Sequence, residues 1–490
     1  MTGNRDRRDV EDPPPTDARE NRTVGSADAT GEQVLARQLS AGQQAMMAVG
    51  GAIGTGLFLG SGLAVNVAGP AVIVSYVIAA LISLLLGIAL TEMCVANPTA
   101  GSFGVYAGEY LSPFAGYAVR VSYWLMEVVA TGGHLVAASI YMQYWLPHVP
   151  GAAWIVLFSA ALLYLNTRAV GTFGSFEYWL AMIKVAAIVV FVVLGIAMLT
   201  GGASAGHAPG LKPGSPTAPI GGPTPSGFFP FGALGVWLGT CFVIYSFIGA
   251  EIVGVTSGEA KDPRRTIPRA FRRMVLLLSA IYLVTVALLM ALVPWNRIGV
   301  GESPFVTVLA AHGVPAAASL MNAVVLSAAL SSANANLYLM SRMLFSLARG
   351  GFVPASLGAI TSRGAPVRAL LVSSAGLAVA VLVRAAWPES AYVWFFGVAL
   401  FGALFVWLMI FVTHVAFTLR APREARLFPG GPARAASTLG AVLMAVLLVS
   451  TWWAPGLRIT LVAGIPWMLL LGGGYFAARR RDLREFPPQR

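Results

Sequence analysis

The sequence is poor in charged residues and in the residue types that build soluble catalytic or metal sites. Only 11% of its 490 residues are charged, whereas soluble domains contain about 25%. It has two cysteines and five histidines, and no HExxH, CxxC or Walker motif. These shortages argue against a cytosolic enzyme, a disulfide-stabilised domain and a metal centre. We therefore expect no catalytic residues, no bound metal and no cofactor.

Apolar residues, in contrast, make up 57% of the chain, and the mean hydropathy is +0.74. They fall in long blocks such as 71–90, which is long enough to cross a hydrocarbon core of about 30 Å as a helix. The sequence therefore predicts an all-α integral membrane protein with twelve transmembrane helices. The predicted spans are 43–66, 71–92, 117–144, 152–170, 176–200, 231–256, 272–294, 317–346, 367–385, 391–419, 435–453 and 458–478.

Basic residues are distributed unevenly between the predicted loops. With a cytoplasmic N-terminus, twenty-six of the 32 Lys and Arg residues fall on the cytoplasmic side. The opposite side has four: Lys212, Arg297, Arg384 and Arg458. This bias predicts that both termini are cytoplasmic. It also accounts for the net charge of +12 without a nucleic-acid partner.

Glycine clusters interrupt the first and sixth predicted spans, as GGAIGTG at 50–56 and SFIGAE at 246–251. Glycine destabilises a helix interior by about 1 kcal/mol relative to alanine, so such clusters favour local unwinding. Close helix packing through small residues is the alternative. Since the two spans each open a block of five helices, the paired breaks indicate an inverted-repeat transporter with a site near the membrane midplane.

The interrupted segments resemble the first and sixth helices of the amino acid–polyamine–organocation superfamily. The resemblance lies in GGAIGTGLFLGSG (50–62), MQYWLP (142–147), FEYWLAMIKV (176–185), SFIGAEIVGVTSGEAKDPRRTIPRA (246–270) and LYLMSRMLFSLARGGFVP (337–354). Over about 40–420 the sequence is similar to the bacterial phenylalanine, aromatic, lysine and GABA permeases. This implies a leucine-transporter-like 5+5 inverted repeat with two additional C-terminal helices. It also implies proton-coupled import of an amino acid across the cytoplasmic (inner) membrane.

The resulting domain prediction has four parts, with inverted repeats at about 43–200 and 231–419 inside the second. They are a disordered cytoplasmic tail without a cleavable signal peptide (1–38), a transport core (39–420), helices 11 and 12 (421–478) and a cytoplasmic C-terminal tail (479–490). The expected partners are an amino acid and the lipid bilayer, with the proton as coupling ion. An amino acid exchanger is the alternative. A receptor or a membrane enzyme is disfavoured, because neither a signalling domain nor a catalytic constellation is visible.

Unwound helices offer backbone groups to both ends of an amino acid zwitterion. The N–H groups expected to face its carboxylate belong to Ile53, Gly54, Thr55 and Gly56. The carbonyls expected to accept from its ammonium lie near Tyr245, Ser246 and Ile248. In the related arginine/agmatine exchanger, an aromatic residue at the position of Tyr245 gates the site. Simple packing is the alternative for this ring.

Spans 3 and 8 contribute further substrate-site candidates. His134 stands where the phenylalanine-type permeases commonly have a glutamate, and Glu127 lies two helical turns earlier on the same face. A histidine changes charge near pH 6.5, so His134 either serves proton coupling or shapes the side-chain pocket, unless it is a neutral core residue. We expect Thr131 to face the same cavity. Asn334 and Asn336 belong to a polar cluster expected to line the pocket or join helices.

Three ionisable residues are candidates for proton coupling. Lys184 lies eight residues into an apolar span, where burial disfavours its charged form. In relatives, a lysine here occupies the region of the leucine transporter's sodium site and couples protonation to the conformational switch. Snorkelling to a headgroup is the alternative. Glu251, which follows the second break, either titrates or caps a helix, and Glu127 is the third candidate.

The charge distribution makes a topological prediction that labelling can check. In a background lacking Cys94 and Cys241, Lys212→Cys in intact cells should react with a membrane-impermeant thiol reagent. Arg265→Cys should react only after the membrane is permeabilised, because its loop is predicted to be cytoplasmic. The reverse labelling pattern would overturn the orientation.

Overall fold

The computed structural model describes residues 49–99, 102–168, 173–200, 227–255, 257, 262–299, 301–361, 366–422, 424, 426–428 and 431–482. Within these ranges the chain is helical and contains no β-strand. The predicted tail 1–38, nearly all of the loop between the fifth and sixth spans, and 483–490 lie outside them.

The α-helices are numbered in chain order. They are α1 (Val49–Phe58), α2 (Gly60–Ala68), α3 (Val72–Ala96), α4 (Ser102–Tyr110), α5 (Pro113–Gln143), α6 (Gly151–Arg168), α7 (Phe173–Thr200), α8 (Gly232–Val243), α9 (Ile252–Val255), α10 (Pro263–Leu292), α11 (Pro304–Ala311), α12 (Pro315–Arg349), α13 (Val367–Ser373), α14 (Ala375–Ala386), α15 (Ala391–Arg420), α16 (Gly431–Ser450) and α17 (Arg458–Asp482).

In the described part of the chain, ten helical stretches are long and apolar enough to cross a membrane. Two shorter apolar helices, Val49–Phe58 and Gly151–Thr167, coincide with the first and fourth predicted spans. An all-helical, multi-pass membrane fold is therefore confirmed. The count of twelve crossings stays a prediction, because these two helices fall below eighteen residues.

Helix α10 extends further than the hydropathy pattern predicts. It begins at Pro263, nine residues before the predicted span at 272. Proline suits the first turn of a helix, and the Thr266 N–H donates to the Asp262 carbonyl at 2.7 Å. The first two turns carry exposed arginines, so a search for apolar stretches starts the helix too late.

Two short helices, α4 and α11, lie between the longer ones and were not predicted. Each is too short to give a membrane-span signal. Helix α11 is nevertheless anchored, because Phe305 packs edge-on against Phe58 of α1 at a centroid distance of 5.1 Å and meets Phe191 of α7 at 4.8 Å. It thus holds the Phe58 end of α1 in place.

The centre of the molecule is formed by α5, which packs along α12 on one side and α15 on another. Helices α3 and α10 pack together beside them, and α2 packs on α8. Close approach depends on small residues. At Gly402 of α15, an added Cβ would lie 2.7 Å from Met126 Cβ of α5. This packing brings the middle of α5 against the interrupted helices.

A buried polar cluster fixes α15 to α3. One Glu92 oxygen lies 2.8 Å from His414 Nε2, and the other accepts from the Phe428 N–H at 3.1 Å. Arg426 Nε lies 3.5 Å from the same carboxylate, and His414 Nδ1 is 2.8 Å from Ser437 Oγ. The cluster thereby ties the segment after α15 to the ends of α3 and α16.

Candidate functional site

Helix α1 is interrupted at Ile53 and Gly54. The Ile53 N–H donates to the Val49 carbonyl at 2.8 Å, which completes the last bond of the first half-helix. Gly54 is extended, and no side chain caps the half-helix that starts at Thr55. The Ile53 N–H is therefore engaged and does not face a substrate, in contrast to the expectation. Gly54, Thr55 and Gly56 remain the candidates for a carboxylate site.

The second break lies between α8 and α9. Tyr245 and Ser246 belong to a 3₁₀ turn, Ile248 is extended, and Gly249 has a φ of +105° that favours glycine. A Cβ at Gly249 would lie 3.0 Å from the Ala52 nitrogen. The two breaks therefore touch backbone to backbone, which only glycine at position 249 allows.

The carbonyls of the second break are unequally occupied. The Tyr245 carbonyl accepts from the Ile248 N–H at 3.2 Å. The Ser246 carbonyl accepts from the Tyr282 hydroxyl at 2.8 Å, and this hydroxyl also lies 3.3 Å from the Ala52 carbonyl. The Ile248 carbonyl accepts no hydrogen bond from the described residues. It is the most open acceptor for an ammonium group.

Glu251 folds back over the second break. Its Oε2 accepts from the Gly249 N–H at 3.0 Å and from Trp407 Nε1 of α15 at 3.1 Å. The side chain is 1% exposed. These contacts are those of a structural cap, which was one of the two roles considered for Glu251.

His134 joins α5 to the first break. Its Nδ1 lies 2.8 Å from Thr55 Oγ1, and the Thr55 carbonyl accepts from the Tyr392 hydroxyl at 3.0 Å. Thr55 is thus held by α5 through its side chain and by α15 through its backbone. Next to it, the buried Ser332 hydroxyl of α12 has no hydrogen-bond partner among the described residues and faces Gly54, where an added Cβ would lie 2.7 Å away.

A cavity of about 40 Å³ lies where the two breaks meet α5 and α12. The sequence-predicted residues on its wall are Gly54, Gly56, Glu127, His134, Tyr245, Ile248 and Asn336. The other wall residues are Gly51, Ala52, Met126, Ala130, Gly249, Ile252 and Leu339. Ligand pockets commonly measure about 300–1,000 Å³, so this cavity is much smaller than a typical ligand pocket.

Five of the predicted substrate-site residues are absent from the cavity wall: Ile53, Thr55, Thr131, Ser246 and Asn334. Thr131 is buried, and its hydroxyl donates to the Glu127 carbonyl of its own helix at 2.6 Å. It lies beside the face formed by 127, 130 and 134, so its position in the helical repeat turns it away. Asn334 Oδ1 accepts from Asn166 Nδ2 of α6 at 2.7 Å, and it therefore joins two helices instead.

Lys184 lies inside the protein and does not reach a headgroup region. It is 1% exposed, and its Nζ donates to the Gly50 carbonyl at 2.7 Å. The amine therefore ties α7 to α1 a few residues before the break. A change in its protonation would act directly on the interrupted helix.

Several functional contacts were missed by sequence reasoning. Tyr282, Tyr392 and Trp407 bond to the breaks from helices distant in sequence. A tyrosine hydroxyl or indole N–H within an apolar helix requires a polar partner, and that is the available signal. This signal does not identify the hydrogen-bond partner, because the sequence contains many tyrosines and tryptophans and many main-chain carbonyls that could pair.

Comparisons with known proteins agree with this architecture. The family model described as "Amino acid permease" matches residues 43–487. The uncharacterized amino acid permease YtnA of Bacillus subtilis (strain 168) is 34% identical over 450 residues, covering 91% of this chain and 95% of its own length. The aromatic amino acid transport protein AroP of Escherichia coli (strain K12) is 36% identical over 454 residues, covering 91% and 96%.

Among solved structures, a manganese transporter of Eremococcus coleocola, crystallised with an aromatic bis-isothiourea substituted compound, aligns with a TM-score of 0.54. The alignment covers 91% of this chain and 95% of the other at 13% sequence identity. At this identity the likeness shows a shared fold alone.

The close contact at Gly56 makes a prediction about binding. A Cβ there would lie 3.1 Å from Ser246 Cα and 3.3 Å from the Tyr245 ring, so the branched side chain of Gly56→Val should force the breaks apart. We expect a folded protein that no longer binds amino acid, measured with radiolabelled amino acids in detergent. Gly473→Val, where nothing lies within 4 Å of an added Cβ, is the matched control. Wild-type affinity in Gly56→Val would contradict the site.

The contact between His134 and Thr55 makes a second prediction. Because the imidazole lies on the cavity wall, His134→Gln should change substrate affinity or the order of preference among amino acids. A competition panel of amino acids against one labelled substrate measures this order. His148→Gln, at an exposed position, should leave it unaltered. An unchanged order of preference in His134→Gln would show that this side chain does not contact the substrate.

Proposed function

Because the chain belongs to the amino acid permease family, we propose that it imports an amino acid across the cytoplasmic membrane by proton symport and alternating access. Membership makes it a transporter and not an enzyme. The observation that carries the finer proposal is the meeting of two helix breaks at one cavity. Both breaks expose main-chain groups that match the two charged ends of an amino acid.

The packing supports the proposed 5+5 inverted repeat. The proposed twofold axis relates the first repeat (α1–α2, α3, α5 and α6) to the second (α8–α9, α10, α12 and α14). A helix that lies near this axis should pack against the equivalent helix of the other repeat. The pairs α2–α8, α3–α10, α5–α12 and α6–α14 all pack together. The proposed axis passes between the two breaks, which places the substrate site at the centre of the repeat.

The proposed substrate orientation follows from the donors and acceptors at the two breaks that can still bind a ligand. The start of the half-helix at Thr55, with the nearby Ser332 hydroxyl, offers donors to the carboxylate. The Ile248 carbonyl offers an acceptor to the ammonium. Gly54 and Gly56 let the substrate approach the main chain closely.

In the proposed topology, this conformation is closed toward the exterior. Tyr245 packs against Phe396 at a centroid distance of 4.4 Å, and Tyr392 bonds to the Thr55 carbonyl. Both α15 residues lie near its first turns, on the side assigned to the exterior. The cavity extends from there toward Met126, Ile252 and Leu339 on the cytoplasmic side. These aromatic residues form the proposed outer gate.

Lys184 is the proposed site of proton coupling. A buried ammonium is costly without acceptors, and the Lys184 amine donates to the Gly50 carbonyl of the interrupted helix. Protonation therefore favours whichever conformation keeps this carbonyl in reach. The substrate does not depend on the amine, since separate groups bind its two charged ends.

Binding and coupling should accordingly separate in Lys184→Ala. We expect uptake driven by an imposed pH gradient in proteoliposomes to be lost, because the coupling group is absent. Equilibrium binding in detergent should stay within about tenfold of wild type, or about 1.4 kcal/mol. Lys212→Ala, in the loop predicted to be external, is the matched control and should transport normally.

The same assay separates the proposed symporter from an exchanger. Vesicles free of internal amino acid should accumulate substrate under a pH gradient if the protein is a symporter. An exchanger would accumulate it only after the vesicles are preloaded. Normal pH-dependent accumulation by Lys184→Ala would instead move the proton site to another residue.

A further inference from the structure

Glu127 is a buried carboxylate on the cavity wall without a counter-charge. Its side chain is 4% exposed, and in the described part of the chain it forms no salt bridge. The buried Tyr123 hydroxyl, one turn earlier on α5, is its neutral hydrogen-bonding neighbour. The carboxylate thus lies on the cavity wall with a neutral neighbour and no cation beside it in the described residues.

The other ionisable groups around the cavity are engaged elsewhere. Lys184 donates to the Gly50 carbonyl, and His134 bonds to Thr55. Glu251, the neighbouring acid, accepts from the Gly249 N–H and from Trp407. An unpaired carboxylate in a membrane interior is expensive, so it is neutralised either by a proton or by a cation beside it. A cationic group that enters the cavity is one source of that neutralisation.

We propose that Glu127 binds the positively charged side chain of the substrate, so that the protein carries an amino acid with a long cationic side chain such as lysine, ornithine or arginine. This rests on the proposed function, because it uses the same site. The amino acid's own carboxylate and ammonium occupy the two helix breaks, and its side chain extends along α5 to Glu127.

The spacing along α5 fits such a substrate. Seven residues separate Glu127 from His134, which marks the level of the first break, and seven residues rise about 10 Å along a helix. A short side chain cannot cover this distance, whereas a chain of several methylenes can. Met126, Ala130, Ile252 and Leu339 supply an apolar wall for those methylenes. The Met126 side chain is flexible enough to adjust to their course.

Selectivity follows from the cost of leaving Glu127 unpaired. When the cavity closes around a neutral side chain, the carboxylate stays buried without a partner. A site built to pair a polar group rejects ligands that lack it far more strongly than an apolar pocket rejects a change in size. A cationic side chain removes this cost and forms a charge-assisted hydrogen bond.

Equilibrium binding to the purified full-length protein tests the inference. The probes are labelled L-lysine and L-arginine, with unlabelled L-phenylalanine, L-leucine and L-glutamate as competitors. For wild type we expect the cationic amino acids to bind and the other three to compete at least about tenfold more weakly. Glu127→Gln should weaken lysine and arginine binding at least about tenfold. Glu389→Gln, the same change at an exposed position, should leave binding unaltered.

A charge-conserving variant controls for folding. Glu127→Asp keeps the carboxylate on a shorter stem, so it should retain more lysine binding than Glu127→Gln at equal thermal stability. Equal loss in both variants would contradict the pairing. Retained lysine binding in Glu127→Gln, with uptake under a pH gradient lost, would make Glu127 a proton carrier and overturn the inference.

The remaining outcomes separate this inference from the function on which it rests. Tight binding of phenylalanine or leucine, with no binding of lysine or arginine, would overturn the cationic substrate and leave amino acid transport intact. Binding or uptake of no common amino acid would overturn the proposed function itself.

Discussion

The main constraint on this structure is that a membrane interior offers no water to main-chain groups released from a helix. Each broken helix frees N–H and C=O groups that must find partners inside the protein. Here the hydrogen-bond partners are side chains of the surrounding helices. The Tyr282 hydroxyl reaches Ser246, the Tyr392 hydroxyl reaches Thr55, and Lys184 reaches Gly50. Groups left without such a partner define where a ligand can bind.

These same contacts couple the breaks to the scaffold. Tyr282 of α10 lies within reach of carbonyls from both breaks, and Trp407 of α15 holds the acid that caps the second. The Glu92 cluster in turn fixes the far end of α15. Movement of one break therefore requires partners on several helices to be exchanged together. Discrete conformations, as opposed to gradual bending, follow from such shared hydrogen bonds.

Much of the fold was accessible from the sequence because its signals are local. Apolar blocks located the long helices, and glycine clusters located both breaks. Pairings across the bundle were not accessible, since nothing in the order of residues indicates that Trp407 meets Glu251 or that Asn166 meets Asn334. Thr131 was misplaced for a different reason. At about 100° per residue, Thr131 lies about 60° around α5 from His134, and its hydroxyl bonds to the Glu127 carbonyl of its own helix.

The small volume of the cavity links transport to hydration. At about 30 Å³ per molecule, the void of about 40 Å³ holds about one water, whereas a pocket able to admit an amino acid is several times larger. Opening to even 300 Å³ therefore draws in roughly nine more molecules from the adjoining solution. The open state is therefore a more hydrated state. In the proposed alternating-access cycle we therefore expect its population to depend on water activity, because solutes too large to enter the cavity withdraw that water.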